Sequence, residues 1–269
     1  MTLNFPTLQS LDVSNNGISE ILFTGLPELT ELDLSDNLFQ SFPGEILKGI
    51  PKLKTLNISN NPNIGNFNDY KILGFLDSLD VSGTKINNYN ADLLNLRFAI
   101  PNTILVFNYR NSGKKVTSGR IDPAKYEELK ALKAGWESGE FNSSIKFGKY
   151  FLDQGDIAMG DFIFATLVYN FPEKNFETTF AIATYLDKFM LTGLSAPLYR
   201  TIIESNPGLD FKRCFSLAKA MQGNHVGIAR DFLPRIMNHD SLNYFLKNRL
   251  ARIEYTSLLY NCGSVVSGC

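Results

Sequence analysis

Three cysteines, two histidines and one tryptophan in 269 residues leave several kinds of chemistry without their usual side chains. An odd, sparse cysteine set excludes a disulfide framework and points to a reducing compartment, so the expected location is cytoplasmic. His225 and His239 have no cysteine or acid at zinc-finger spacing around them. They are read as solvated or helix-terminal side chains, and no cofactor and no metal is expected. The longest apolar runs, such as 162–168, fall well short of the roughly 20 residues of a spanning helix, and Met1 does not open a signal peptide. Membrane insertion is therefore not expected. Net charge is −1, with no concentrated basic patch of the kind that nucleic acid demands. Gly155 to Gly160 lacks the Lys-Ser/Thr of a phosphate loop.

The first third of the chain is a ladder of leucines. Leu8, Leu11, Val13 and Asn16 recur as Leu29, Leu32, Leu34 and Asn37, then Leu53, Leu56, Ile58 and Asn61, then Leu76, Leu79 and Val81 with Thr84 in the Asn slot. The apolar alternation after each first leucine makes a short strand with one face in the core. The Asn amide can bond backbone groups of the chain as it leaves the strand, so the three should stack inside the fold, and Thr84 can replace only part of that. Pro6, Pro27 and Pro51 stand two residues before the first leucine, where a fixed φ and a missing N–H suit strand entry. Residues 104–107, after Pro101, read as a fifth, degenerate strand that ends the sheet. This pattern, at a period of 21 to 24 residues, resembles the leucine-rich repeat family, which implies a solenoid with a parallel sheet on its concave face. Residues 1–5 supply no polar lid for a first repeat, so the chain is expected to be a fragment or to have that edge covered by a partner.

Residues 1–110 carry a net −4 and the remainder +3. The segment 111–122, polar and glycine-containing, reads as a linker. Asp122-Pro123 is an N-cap followed by proline at the first helical position, opening an all-helical domain at 123–260 and leaving 261–269 as a loose tail. Phe147-Gly148, Phe151, Gly160, Phe164 and Pro172, then Ile182-Ala183, Leu186, Tyr199 and Ile202, then Leu217-Ala218, Met221, Ala229 and Leu233 follow a small-and-large spacing. That spacing resembles tetratricopeptide repeats; helical hairpins of no repeat family are the other reading. Leu242, Phe245, Leu246, Leu250 and Ile253 form one stripe of a last helix capped by Asp240 or Ser241. The fold class is thus α+β, about four or five leucine-rich repeats followed by helical hairpins.

Partner binding is the expected function, through the concave sheet. Three columns of side chains are read as facing outward: Asp12, Asp33, Asn57 and Asp80 at the centre, Ser14, Ser35, Ser59 and Ser82 on one side, and Ser10, Glu31, Thr55 and Ser78 on the other, with Asp36 and Asp77 at the rim. Strands about 4.8 Å apart set adjacent acids against each other at roughly 1 kcal/mol per pair in water. A protein partner with a basic surface would relieve that repulsion. Asp and Ser also recur at these slots throughout the family, so consensus filling stands beside a tuned site. The layout is similar in style to secreted leucine-rich effectors of intracellular bacteria, which implies host cytoplasm as the place of action. The alternative is an effector whose helical half carries an enzymatic activity, for instance in the ubiquitin pathway. Effectors of that kind are built around a Cys-x-Asp motif, and Cys214-Phe215-Ser216, Cys262-Gly263-Ser264 and the terminal Cys269 all depart from it.

Overall fold

The computed structural model describes residues 2–3, 5–23, 25–42, 44–65, 73–87, 91–109, 113–169, 175–239, 241–242 and 249–262. The layout is α+β. Among the described residues eight strands come first: β1 (Thr2–Leu3), β2 (Ser10–Asp12), β3 (Leu22–Phe23), β4 (Glu31–Asp33), β5 (Thr55–Asn57), β6 (Ser78–Asp80), β7 (Ile104–Asn108) and β8 (Lys115–Ser118). β1 and β3 pair as a small parallel sheet, and the remaining six form one sheet in the order β2-β4-β5-β6-β7-β8. All pairings in it are parallel except the last.

Register follows from the leucines. Leu11, Leu32, Leu56, Leu79 and Leu105 are direct partners across the sheet and turn to one side, where Leu32, Leu56, Leu79 and Leu105 are buried. A slip of one residue would put this whole row in water, which fixes the pairing. Two short helices, α1 (Gly44–Leu47) and α2 (Ala91–Ala99), lie in the returns, and Leu93, Leu94 and Leu96 of α2 are buried.

The Asn ladder forms as the spacing requires. Asn61 is fully buried; its Nδ2 donates to the carbonyls of Leu34, Ile58 and Ser59 at 3.0, 3.0 and 3.2 Å, and its Oδ1 accepts from Phe39 N at 3.3 Å. Asn37 does the same one repeat earlier, reaching Val13, Leu34 and Ser35 carbonyls and accepting from Asn16 N and Ile18 N. Thr84 makes the one bond its hydroxyl allows, to Val81 O at 2.6 Å. The residue before each ladder position, Asn15, Asp36, Asn60 and Gly83, has φ between +55 and +71°. Asn and Asp tolerate this left-handed conformation and Gly adopts it freely. At Gly83 a side chain is doubly barred, since a Cβ would lie 2.3 Å from Asn60 Oδ1.

Two expectations about the end of the sheet are corrected. Residues 104–107 do not end it, and 111–122 does not link two domains, because β8 lies within that segment and pairs antiparallel with β7. Polar composition there reflects an exposed hairpin: Gly113 has φ +70° and Tyr109 N donates to Lys114 O at 2.8 Å. The first compact unit accordingly runs through Ile163 and the second from Phe164, in place of a boundary at 110.

The physical reason is a shared core. Helices α3 (Tyr126–Glu137), α4 (Phe141–Asp153) and the start of α5 (Ile157–Tyr169) bury Leu129, Phe147, Phe151, Met159 and Ile163 in the same apolar cluster as the repeats. Phe98 of α2 meets Phe147 with ring centroids 5.8 Å apart, and Tyr126 OH donates to Phe98 O at 2.8 Å. Asp122 caps the turn at Pro123–Lys125, accepting from Ala124 N at 2.9 Å. Asp156 heads α5, where Met159 N donates to its Oδ1 at 3.1 Å and the Ser118 hydroxyl of β8 donates to its Oδ2.

In the second unit, α6 (Phe176–Lys188) pairs with α7 (Thr192–Ser205) and α8 (Phe211–Asn224) with α9 (Val226–Met237), while α10 (Arg249–Asn261) packs on α8. Helices α4, α6 and α8 open on Phe141, Phe176 and Phe211, a spacing of 35 residues each time. The small buried residues Gly148, Ala183 and Ala218 recur with that period, and Gly160, Ser195 and Ala229 follow at steps of 35 and 34. Part of the apolar stripe assigned to the last helix, Asp240 and residues 263–269 lie outside the described residues.

Candidate functional site

The outward face of the six-stranded sheet is built by the same alternation that buries its leucines. Ser10, Glu31, Thr55 and Ser78 are register partners, as are Asp12, Asp33, Asn57 and Asp80. Asp12, Glu31, Thr55, Asp36 and Asp77 are exposed; Asp33, Asn57 and Asp80 are half-buried.

The serine column is tucked beneath this face rather than exposed on it. Ser35, Ser59 and Ser82 are 6, 1 and 1% exposed, and Ser14 is half-buried. The chain bends after each Asp or Asn, and the side chain two residues back closes the bend. Ser14, Ser35 and Ser82 N–H groups donate to Oδ1 of Asp12, Asp33 and Asp80 at 2.8, 2.8 and 2.9 Å, and Ser59 N donates to Asn57 Oδ1 at 3.0 Å. The Ser35 and Ser82 hydroxyls add bonds of 2.6 and 2.5 Å to the same oxygens. The Ser14 hydroxyl and then its N–H hold the Asp12 carboxyl below the usual carboxylate range. Each of these acids thus has a structural duty in its turn, and one oxygen left over for the face.

Those remaining oxygens are unequal. Asp33 Oδ2 accepts from Asn57 Nδ2 at 2.9 Å, a neutral rung that separates the acids. Asp80 Oδ2 takes the Lys115 ammonium at 2.8 Å, and Asp77 takes Arg120 at 3.3 Å and Lys54 at 4.0 Å. Lys115 of β8 and Arg120 just beyond it were absent from the sequence-based site. Their signal was the sequence Asn111-Ser112-Gly113, rich in turn-forming residue types, between two β-prone runs. Asp12, Glu31, Asp33 and Asp36 have no ion pair among the described residues. Among the described residues, charge on this face is therefore balanced at the β6 end and uncompensated at the β2–β4 end.

In the second unit His225 is buried and networked. It joins α8 to α9, and its Nε2 lies 2.8 Å from Asp187 Oδ1 and 2.9 Å from Ser195 Oγ. Ser195 Oγ donates to Asp187 Oδ1, and Tyr199 OH donates to Asp187 Oδ2 at 2.9 Å. Burial, then this bond to Asp187, pushes the Tyr199 phenol far up. The hydroxyl protons point at the carboxylate, so the third donor to it is Nε2–H. A hydrolytic relay needs acid and nucleophile on different ring nitrogens; here one nitrogen faces both, and Ser195 is fully buried. The network ties α6, α7 and the α8–α9 junction together. His239 is half-buried, 5.4 Å from the Phe211 ring, and accepts from Ser241 N at 3.2 Å.

Cys214 and Cys262 are both buried, and burial pushes both thiols up; the loose tail expected over 261–269 is corrected at Cys262. Between α7 and α9 lies a cavity of about 200 Å³ lined by Ile203 and Phe232 with Arg200, Glu204, Asp231 and Arg235 around it. Among the described residues no three His, Cys, Asp or Glu side chains gather as metal ligands, and no helix is long and apolar enough to cross a membrane.

A leucine rich repeat family model matches residues 27–86, and a second leucine rich repeat model matches 7–29. The N-terminal part of this chain is a leucine-rich repeat region, a type of structure that generally mediates protein–protein interaction. Two relatives from Caenorhabditis elegans share it. Acidic leucine-rich nuclear phosphoprotein 32-related protein 2 is 31% identical over 94 residues, and the related protein 1 is 32% identical over 98. Each alignment covers 30% of this chain, and the chain spans 42% and 43% of these relatives' own length.

Proposed function

We propose that the chain is an interaction module whose repeat sheet grips a protein partner presenting Lys or Arg. The observation that carries this reading is the uneven charge of the outward face: among the described residues Asp12, Glu31, Asp33 and Asp36 have no ion pair, whereas Asp77 and Asp80 already hold cations. Like charges on adjacent strands repel by about 1 kcal/mol per pair in water and by more once a partner excludes water. A cationic partner offsets that cost only where no internal cation does so. The footprint is therefore Asp12, Glu31, Asp33, Thr55 and Asn57. The 35-residue helix-pair period and its small-residue positions support a tetratricopeptide-like reading of the helical half. The bacterial-effector style has no structural observation beside it, and the module is defined by its face alone.

The test is affinity capture from cell lysate with the intact chain, beside the same chain carrying Asp12→Asn and Glu31→Gln. Both changes remove charge and keep a side-chain oxygen, so the Ser14 turn survives. A partner held at low salt by the wild type and lost with the double variant supports the reading. Partners captured equally by both, with no dependence on salt, refute it.

A further inference from the structure

Lys115 occupies the sheet as a partner's lysine would. Carried on β8, its ammonium passes over β7 and contacts Asp80 Oδ2 at 2.8 Å and Ser59 Oγ at 3.5 Å. The seat is made by the Asp of one repeat and the Ser that stands two residues beyond its register partner in the repeat before. Parallel register repeats this geometry upstream. Asn57 with Ser35 forms the middle copy, which is neutral, and Asp33 with Ser14 forms the first, which is charged.

The Asp33 seat has room for a donor. Its Oδ1 takes the N–H and hydroxyl of Ser35, while Oδ2 takes the Asn57 amide at 2.9 Å. A carboxylate oxygen offers two lone-pair directions, so Oδ2 keeps one. Exposed Glu31 and Asp12 flank it, and Asp33 has no ion pair among the described residues.

We infer that Asp33 and Ser14 form a seat for a lysine ammonium of the partner, repeating two strands upstream the contact that Lys115 makes within the chain. This rests on the partner-binding reading above. Two strand spacings, about 10 Å, separate the two seats, and Lys115 with Arg120 confines incoming cations to the β2–β5 end.

Octalysine titrated into the full-length chain at low salt, followed by amide NMR shifts and calorimetry, tests the assignment. In the wild type, shifts are expected at Ser14 and Asp33 and not at Asp80. Asp33→Asn, which retains an oxygen for Ser35, is expected to weaken binding about twofold to fivefold, the upper range of one partly exposed ion pair. Lys115→Met frees the second seat, so shifts at Ser59 and Asp80 appear and affinity rises by a similar factor. Octalysine that binds Asp33→Asn as tightly as wild type, with no new shifts in Lys115→Met, overturns the seat and leaves partner binding standing. Failure to bind either wild type or Lys115→Met overturns both. The Lys115→Met arm is a gain of binding, which misfolding cannot imitate.

Discussion

Replacing Asn61 by Ala tests whether the buried amide ladder holds the repeats together. Four bonds are lost: three donated to Leu34, Ile58 and Ser59 carbonyls and one accepted from Phe39 N. Each buried bond contributes about 1 kcal/mol net, and an N–H left without a partner costs about 1–3 kcal/mol. Leu34 O keeps a second donor, Asn37 Nδ2 at 3.1 Å, which lowers the loss. The expected total is about 3–4 kcal/mol, a large share of the roughly 5–15 kcal/mol that stabilises a domain. Asn61→Thr should cost about 1 kcal/mol less, because Thr84 shows that a hydroxyl in this slot still reaches the carbonyl three residues back. The assay is urea unfolding followed by tryptophan fluorescence. Trp136 is the single tryptophan and lies in the first unit, 5.8 Å from the Phe162 ring, so the signal reports that unit alone. With a slope of about 1–3 kcal/mol/M, the Ala variant should move the midpoint by about 1 M or more. A loss under about 1 kcal/mol, or a Thr variant as damaged as the Ala variant, would refute the reasoning.

Asp156 gives a pH dependence of definite sign. Burial raises its carboxyl and outweighs the Ser118 and Met159 bonds and the attraction of Arg97, itself depressed by burial to about 10. A raised folded-state value means that its stabilising contribution is complete below the unfolded value near 3.8 and is lost as pH rises through the folded one. Asp156→Asn should therefore raise the first unit's urea midpoint relative to wild type at pH 7, and the gain should vanish near pH 3.5; a gain independent of pH would count against burial as the cause. Gly83→Ala, at φ +71° with Asn60 Oδ1 in the way, should cost about 1–3 kcal/mol in the same assay, whereas Gly113→Ala, with open space around it, should cost less. Long-range nitrogen-15 correlation spectra should show His225 with its proton on Nε2; a proton on Nδ1 would overturn the donor assignment around Asp187.

The repeats were legible because one periodic constraint wrote itself into every copy. Leu32, Leu56 and Leu79 take the register their spacing demanded, and Asn37 and Asn61 bond as their amides allow. Side-chain direction at the strand ends was harder to read. Strict alternation does assign the Ser positions to the Asp side of the strand, yet the chain bends after the third strand residue and turns Ser35, Ser59 and Ser82 inward. Long-range charge pairing was invisible for another reason: Lys115 and Asp80 are 35 residues apart, and only the antiparallel turn of β8 brings them together. The same strand hid the boundary, since the polar sequence leading into it has the composition of a linker. In the helical half, the small-and-large spacing was legible, and the 35-residue spacing of Phe141, Phe176 and Phe211 at the helix starts runs alongside it.

The antiparallel β8 also governs how this ladder can grow. A parallel stack offers its last strand as a template for one more copy of the repeat, and gene duplication lengthens such proteins by that route. Here the template edge of β7 is occupied by a strand running the wrong way, and Ser118 of that strand is bonded to Asp156 at the head of α5. New copies, whether evolved or engineered, have to be spliced in upstream of Ile104, where each insertion would lengthen the acidic end of the face and leave its cationic end unchanged.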